Sequence, residues 1–370
     1  MRRLFLFRIT TIIVAIISLS ACSLVNKQAD NSRQQSLSIG LWNLQCMFDG
    51  IDNGSEYAEY VSSKGWDEAK YQSRLAQFAK ALAAMNADIL AFTEIENASV
   101  VRSLGETAEL SSQGFYHLAF STNPGASLGV GLLSKYPITK QFSHSISVSG
   151  MDSPRPMLEI WLKPADTPLV LLLCHWKSKL GGDAETEIRR RVAAKLAARR
   201  IKEIEAEFPG MPVMLLGDLN ENFDEFYRHN ENYITALLPD TEIASRLAAS
   251  ACITGTLGAD CYTCTQDYLV ISDTKPPAGS YFPASWISLY SPWYNELKNG
   301  SYYYQKDWET IDHFLLGEGF FNNTGWEFDT ARVLNEPPFS TKAGYPYGYK
   351  PYFASGISDH LPLLLELKLY

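Results

Sequence analysis

The apolar run Val213-Met214-Leu215-Leu216 stops at Gly217 and releases Asp218-Leu219-Asn220, so a segment long enough for one buried strand ends in two polar side chains. In extended chain successive side chains point to opposite faces, which puts Asp218 and Asn220 on one face and turns Leu219 toward the core. An Asx turn would account for an isolated Gly-Asp-x-Asn, but the same arrangement recurs along the chain. The alternating stretch Leu37 to Trp42 delivers Asn43, Asp88 to Thr93 delivers Glu94, and Leu169 to Cys174 delivers His175. A polar or charged group at the mouth of a buried strand is costly unless it is paired or bound to a cation. Glu94 is therefore a better metal candidate than an average surface glutamate, whereas Asn43 alone means little and a lone histidine at a strand end is more often satisfied structure than catalyst.

Between these runs the periodicity predicts helices over 67–85, with Tyr71, Leu75, Phe78, Leu82 and Met85 on one face, and over 184–208. In the second, Ile188, Val192, Leu196, Ile204 and Phe208 form the apolar stripe and Arg189-Arg190-Arg191 reads as a solvated face. Further strands are expected at 129–138, 155–161, 310–316 and 363–369. Arg155 stands at the entry of one of them, where a guanidinium suits a bidentate grip on phosphate. In Thr310 to Leu316, Asp312 and His313 face apart, and Cys174 faces away from His175, which disfavours a Cys/His nucleophilic pair. Residues 221 to 308 read as an irregular, aromatic-rich insert.

The N-terminus carries Arg2, Arg3 and Arg8, then an apolar segment Ile9 to Leu19, too short for a bilayer span of about 20 residues. It reads as a secretory signal. Leu19-Ser20-Ala21-Cys22 resembles the bacterial lipobox, which implies a lipidated Cys22, a signal peptide over 1–21, a polar tether over 22–36 and a location in the cell envelope, at the outer membrane or cell surface. Removing residues 1–21 takes three arginines and no acid, moving the formal charge from −9 to −12. That surface argues against a sequence-reading nucleic-acid-binding module. Cys46 and Cys174 read as buried small hydrophobes, and one disulfide is expected among Cys252, Cys261 and Cys264.

Taken together, Asn43, Thr-Glu-Ile-Glu at Glu94, Cys-His-Trp-Lys-Ser-Lys at His175, Gly-Asp-Leu-Asn at 217–220, Ile-Asp-His-Phe at 311–314 and Ser-Asp-His-Leu-Pro at 358–362 resemble the endonuclease/exonuclease/phosphatase superfamily. The resemblance runs over 37–370 and implies the deoxyribonuclease I-like fold, an α/β architecture in which a two-sheet sandwich with flanking helices carries the site at one end of the sheets. Thr93 departs from the Gln that often precedes the glutamate. By the same resemblance, Glu94, Asn43 and Asp359 hold Mg2+, or Mn2+ in its place. His360 serves as general base or phosphate-stabilising acid with its tautomer set by Asp312, Asp218 and Asn220 orient the attacking water, His175 protonates the leaving group, and Arg155 and Lys177 meet the phosphate.

The expected protein is an exported, lipid-anchored, metal-dependent phosphodiesterase of the endonuclease type acting on nucleic acid, with no protein partner evident. The rivals are a phosphoesterase acting on sphingomyelin or phosphoinositides, and a non-catalytic binding protein on the same scaffold. One expectation stands on the sequence alone: Cys22→Ala should move the protein from the membrane to the soluble fraction on fractionation, and unchanged membrane association contradicts lipidation at Cys22.

Overall fold

Strand alternation and helix amphipathicity sort this chain into layers. In the computed structural model, residues 35–146, 155–239, 242–243, 267–275 and 286–370 are described. Cys22, the N-terminal segment and the Cys252, Cys261 and Cys264 group lie outside them. The first sheet has the order β15 (Trp326–Val333), β16 (Leu363–Leu369), β1 (Ser36–Met47), β2 (Ile89–Ile95), β4 (Gly129–Ser134), β3 (His117–Ser121). The second runs β5 (Ile138–His144), β6 (Met157–Leu162), β7 (Leu169–His175), β8 (Val213–Asp218), β14 (Asp312–Leu316), β11 (Trp286–Tyr290), β10 (Tyr268–Ser272), β9 (Leu237–Leu238). A separate hairpin joins β12 (Tyr302–Tyr304) to β13 (Asp307–Glu309). The helices are α1 (Glu68–Met85), α2 (Ala98–Glu106), α3 (Ala108–Ser111), α4 (Asp183–Glu207) and α5 (Glu225–Arg228).

Period-two patterning decides which side chains meet. Leu37, Ile39 and Leu41 of β1, Leu169, Leu171 and Leu173 of β7, Met214 and Leu216 of β8, and Phe314 and Leu316 of β14 share one core between the sheets. Their neighbours point outward. Trp42, Leu44, Leu90 and Phe92 meet Phe78, Leu82 and Met85 of α1 and Val100, Val101 and Leu104 of α2. Val170, Leu172, Val213 and Leu215 lie with the Ala193 to Ile204 face of α4. Each fully buried Leu, Ile or Phe is worth about 1.5–3 kcal/mol, so these three interfaces carry the fold. The result is the two-sheet α/β sandwich of the deoxyribonuclease I-like fold, with helices on both outer faces.

Two sequence expectations change. The insert over 221–308 is not wholly irregular: β10 and β11 pair in parallel and extend the second sheet, with β9 beyond β10. On α4 the expected Val192 and Ile204 are buried and Leu196 and Phe208 pack at the edge, but the stripe is widened by Ala193, Ala194, Ala197, Ala198 and Ile201, and Ile188 is half-buried outside it. Alanines let the helix approach the sheet closely, and an alternation of large residues is a poor guide to such a face. Arg190 accordingly turns inward rather than into solvent. It is fully buried, and donates from Nε to Glu221 Oε2 at 2.7 Å and from Nη2 to Glu187 Oε2 at 2.6 Å.

A second buried charge ties α4 to the sheet. Glu159 of β6 has no exposed surface and accepts from Arg200 Nε and Nη2 at 2.6 and 2.9 Å and from Trp161 Nε1 at 2.6 Å, with His144 Nε2 at 2.7 Å. Burial by itself raises the Glu159 pKa, but the bonds from His144, Arg200 and Trp161 outweigh it and hold the carboxyl at about 2. The folded value lies below the ordinary 4.5, so the stabilisation is complete above that pH and is lost as pH falls toward 2. Glu159→Gln should cost about 3 kcal/mol in urea unfolding at neutral pH. The gap to wild type should narrow below pH 4.5, and a gap independent of pH contradicts the assignment.

Candidate active site

Register brings three polar side chains into one row. His175 pairs with Asp218 across the parallel β7/β8 ladder, and Asp218 pairs with Asp312 across the antiparallel β8/β14 ladder. Each stands two residues from a core residue of the same face, namely Leu173, Leu216 and Phe314. Gly217 makes the approach of β8 to β7 feasible: its φ is +136°, and a Cβ there would collide with the Cys174 carbonyl. From the facing sheet Asn43 continues the Leu41 face and donates from Nδ2 to Asp218 Oδ2 at 2.9 Å.

Glu94 reaches the row by breaking alternation. Its parity is that of Leu90 and Phe92, which face α1 and α2. A left-handed φ of +59° and a register shift between Thr93 and Ile95 turn its carboxylate inward instead. There Oε2 accepts the Cys46 N–H at 2.9 Å, and Oε1 lies 3.8 Å from His175 Nε2. A non-glycine residue in this region costs about 1–3 kcal/mol and persists only where the surroundings enforce it.

His360 closes the cluster from the loop before β16. Its Nδ1 pairs with Asp312 Oδ2 at 2.7 Å, leaving Nε2 4.0 Å from Asp218 Oδ2. Its backbone is held as well: the Ser358 hydroxyl accepts the His360 N–H at 3.1 Å and donates to the Asn43 carbonyl at 2.7 Å, and Trp42 Nε1 donates to the His360 carbonyl at 2.8 Å. The Tyr302 ring covers the imidazole at a centroid distance of 4.6 Å.

The two imidazoles differ in charge state. Burial disfavours the His360 cation, but the Asp312 carboxylate and its hydrogen bond, with Asp218 and Asp359 behind, raise its pKa to about 10. Burial drives His175 the other way, well below the usual histidine range, assisted by Arg155, His360 and Lys177. Burial, then the Asp312 charge, raises Asp218 to about 7, against the opposing pull of His360. An imidazolium, a neutral imidazole and a carboxyl poised near neutrality therefore share one pocket mouth.

The remaining expected residues divide. Asn220 has a left-handed φ of +51° just beyond the end of β8; its N–H bonds Asp218 Oδ1 at 3.0 Å, and its Nδ2 donates to the Trp176 carbonyl at 3.3 Å. The Asx turn and the site are thus the same structure. Asp359 is half-buried, and burial raises its carboxyl, with His360 opposing and Glu94 adding to the rise. Arg155 spends Nη1 on the Trp176 carbonyl at 3.0 Å, beside the Tyr57 hydroxyl. Lys177 is tied into its own loop through Ser178 Oγ at 3.1 Å and the Leu180 carbonyl at 3.2 Å. Sequence reasoning missed Ser358, although it lies inside the Ser-Asp-His motif, and Tyr302, which nothing in the insert singled out.

The carboxylate oxygens here, rather than the His175 ring, suit a hard divalent cation. Glu94, His175 and Asp218 form one group of ligand atoms within 4.8 Å of each other, and Asp218, Asp312 and His360 form another. Asp312 Oδ1 is buried without a hydrogen-bond partner, an acceptor left for a ligand. In metal-free protein His360 should titrate near pH 10 by NMR, and Asp312→Asn should lower that value by about 1–3 pH units. An unchanged His360 titration contradicts the pairing.

A family model described as "Endonuclease/Exonuclease/phosphatase family" matches residues 38–236. Among solved structures, the endonuclease/exonuclease/phosphatase from Bacteroides vulgatus is similar at 13% identity, covering 91% of this chain and 100% of that one with a TM-score of 0.50. Truncated Caenorhabditis elegans TDP2 is similar at 15% identity over 90% of this chain and 98% of that one, with a TM-score of 0.49. No curated protein matches the sequence.

Proposed function

The chain belongs to the endonuclease/exonuclease/phosphatase family, whose members are typically metal-dependent hydrolases, and on that premise we propose that it is an exported, lipid-anchored phosphodiesterase that hydrolyses nucleic acid with Mg2+. The observation that carries the reading is the pair of imidazoles flanking Asp218, His175 Nε2 at 3.6 Å and His360 Nε2 at 4.0 Å from its Oδ2, with His360 Nδ1 held by Asp312. In-line displacement at phosphorus needs a base for water and a donor on the opposite oxygen.

Asp218 takes the water proton. Its carboxyl is raised toward neutrality, where a base combines availability with driving force, and Asn43 and the Asn220 N–H fix its two oxygens. His360, kept as imidazolium by Asp312, donates its Nε2 proton to the leaving oxygen. His175 stays neutral, with Nε2 between Glu94 and Asp218 at 3.8 and 3.6 Å, and positions the phosphate by hydrogen bonding rather than by proton transfer. Glu94, Asn43 and Asp359 would hold Mg2+, which supplies positive charge against the phosphate oxygens. Each proton-transfer group is worth about 10²- to 10⁴-fold in rate.

Flat aromatic surfaces near the mouth support a nucleic-acid substrate. Tyr302 stacks on Tyr304 and leans over His360 at 32°, and Trp308 stacks on Tyr345 with 12° between the rings. Bases stack on such faces without sequence preference. A second reading, phospholipid hydrolysis, draws on Tyr352 and Phe353, which are 79% and 70% exposed and suit contact with an apolar boundary. Side-by-side assay on plasmid DNA, RNA and sphingomyelin liposomes with Mg2+ decides between them. Nucleic acid should be cleaved faster, and Glu94→Gln should reduce the rate about 10²-fold or more while raising the Mg2+ requirement. Faster release of phosphocholine than of nucleotide overturns the assignment, as does full activity in excess chelator.

A further inference from the structure

A second cluster of ligating side chains lies on the helical side of the second sheet, outside the residues assigned to catalysis. It is built from two pairs spaced four residues apart. Asp183 and Glu187 occupy successive turns at the start of α4, and Glu225 and His229 span α5 and the residue that ends it. Residues four apart stand on the same face of a helix, so each pair points one way. His229 Nε2 lies 2.7 Å from Glu225 Oε1 and 3.8 Å from Asp183 Oδ2, and the ligand atoms of these three residues are all within 4.8 Å of one another.

An independent observation shows that the cluster is incomplete as it stands. Glu187 is only 3% exposed, and its Oε1 has no hydrogen-bond partner, although its Oε2 pairs with Arg190. The Tyr233 hydroxyl, also buried and unpartnered, has Glu187, Glu225, Glu221 and Asp183 around it, and its ring lies 4.8 Å from that of His229. Two cations bond to these four carboxylates: Arg190 to Glu187 and Glu221, and Lys179 to Glu225. Lys179 is shared with Glu309 at 3.8 Å. Several carboxylates are thus gathered in a place where an acceptor oxygen and a hydroxyl are both unsatisfied.

We propose that Asp183, Glu225 and His229 bind a second divalent ion of the zinc class, with Glu187 and the Tyr233 hydroxyl bonding to a water on the ion. One imidazole with carboxylates is a zinc donor set, unlike the oxygen ligands that magnesium prefers. Ligand atoms about 2.0–2.1 Å from one ion stand no more than about 4.2 Å apart. The ligand atoms, all within 4.8 Å of one another, reach that spacing with at most a small movement of Asp183, whose side chain is 48% exposed and gives the ion its way in. The ion would join the first turn of α4, which follows Gly181-Gly182, to the segment that follows Asp218 and Asn220. It is a staple rather than a participant in the reaction.

The test is zinc stoichiometry on chelator-stripped full-length protein in detergent, measured against a chromophoric competitor and by the zinc-induced rise in Tm. His229→Ala and Asp183→Asn should each bind one equivalent fewer than wild type and lose most of the Tm rise. Asp183→Asn changes a half-exposed side chain and carries the test if His229→Ala fails to fold. Glu94→Gln serves as the control that separates the two sites, since it should retain the Tm rise that depends on His229 even if the catalytic reading fails. Wild-type stoichiometry in a folded Asp183→Asn or His229→Ala protein overturns the proposal, and so does a wild type that binds no zinc.

Discussion

Two carboxylates, Asp218 and Asp312, stand opposite each other on neighbouring strands, both at 2% exposure or less. In a low-dielectric interior such neighbours cannot both carry charge without strong compensation. The molecule compensates from three directions: Asn43 from the facing sheet, the Asn220 N–H from the strand end, and the His360 ring from the loop before β16. Removing His360 leaves the Asp312 carboxylate without its side-chain partner, whereas Asp218 keeps one donor if either asparagine bond is lost. The sandwich is thus pinned at this end by polar bonds that span both sheets, and Trp42 and Trp293 reinforce it by donating to the His360 and Asp312 carbonyls.

What the sequence revealed follows from which physical rule governs each residue. His175 and Asp218 end strands whose apolar runs mark the position, while Asn43 and Asp312, inside and at the start of theirs, took on a role only through the motif resemblance. Glu94 was found for a reason that is incomplete: a strand mouth was legible, but the left-handed residue that re-aims it was not, because nothing local distinguishes it from a glutamate facing α1. Arg190 was misread because a basic triplet on a helix is usually solvated, and its partner Glu221 lies 31 residues away. The strands β10 and β11 escaped notice because they are short and embedded in aromatic sequence that carries no clear period.

The support for Glu94 extends to a helix with no obvious tie to the site. Gln45 and Cys46 both have left-handed backbones, at φ +47° and +59°, and Arg74 of α1 gathers the carbonyls around them. Its guanidinium donates to Leu44, Gln45 and Cys46 at 2.6–2.8 Å and lies 4.0 Å from the Tyr349 ring. That bend is what aims the Cys46 N–H at the Glu94 carboxylate. A buried arginine on the outer layer thereby offsets strain at the inner one, and from the sequence it resembles any charged residue on an amphipathic helix.

The Tyr302 hairpin has a consequence for traffic. His360 has one nitrogen committed to Asp312, one ring face under an aromatic cover and only 5% of its surface in contact with solvent. Of its edges, Nε2 alone opens toward the cluster, so a proton that leaves this ring has a single exit, into the space shared with Asp218 and His175. The insert thereby restricts exchange: a histidine that bulk water would otherwise reach from several sides keeps a single opening through which protons pass in both directions.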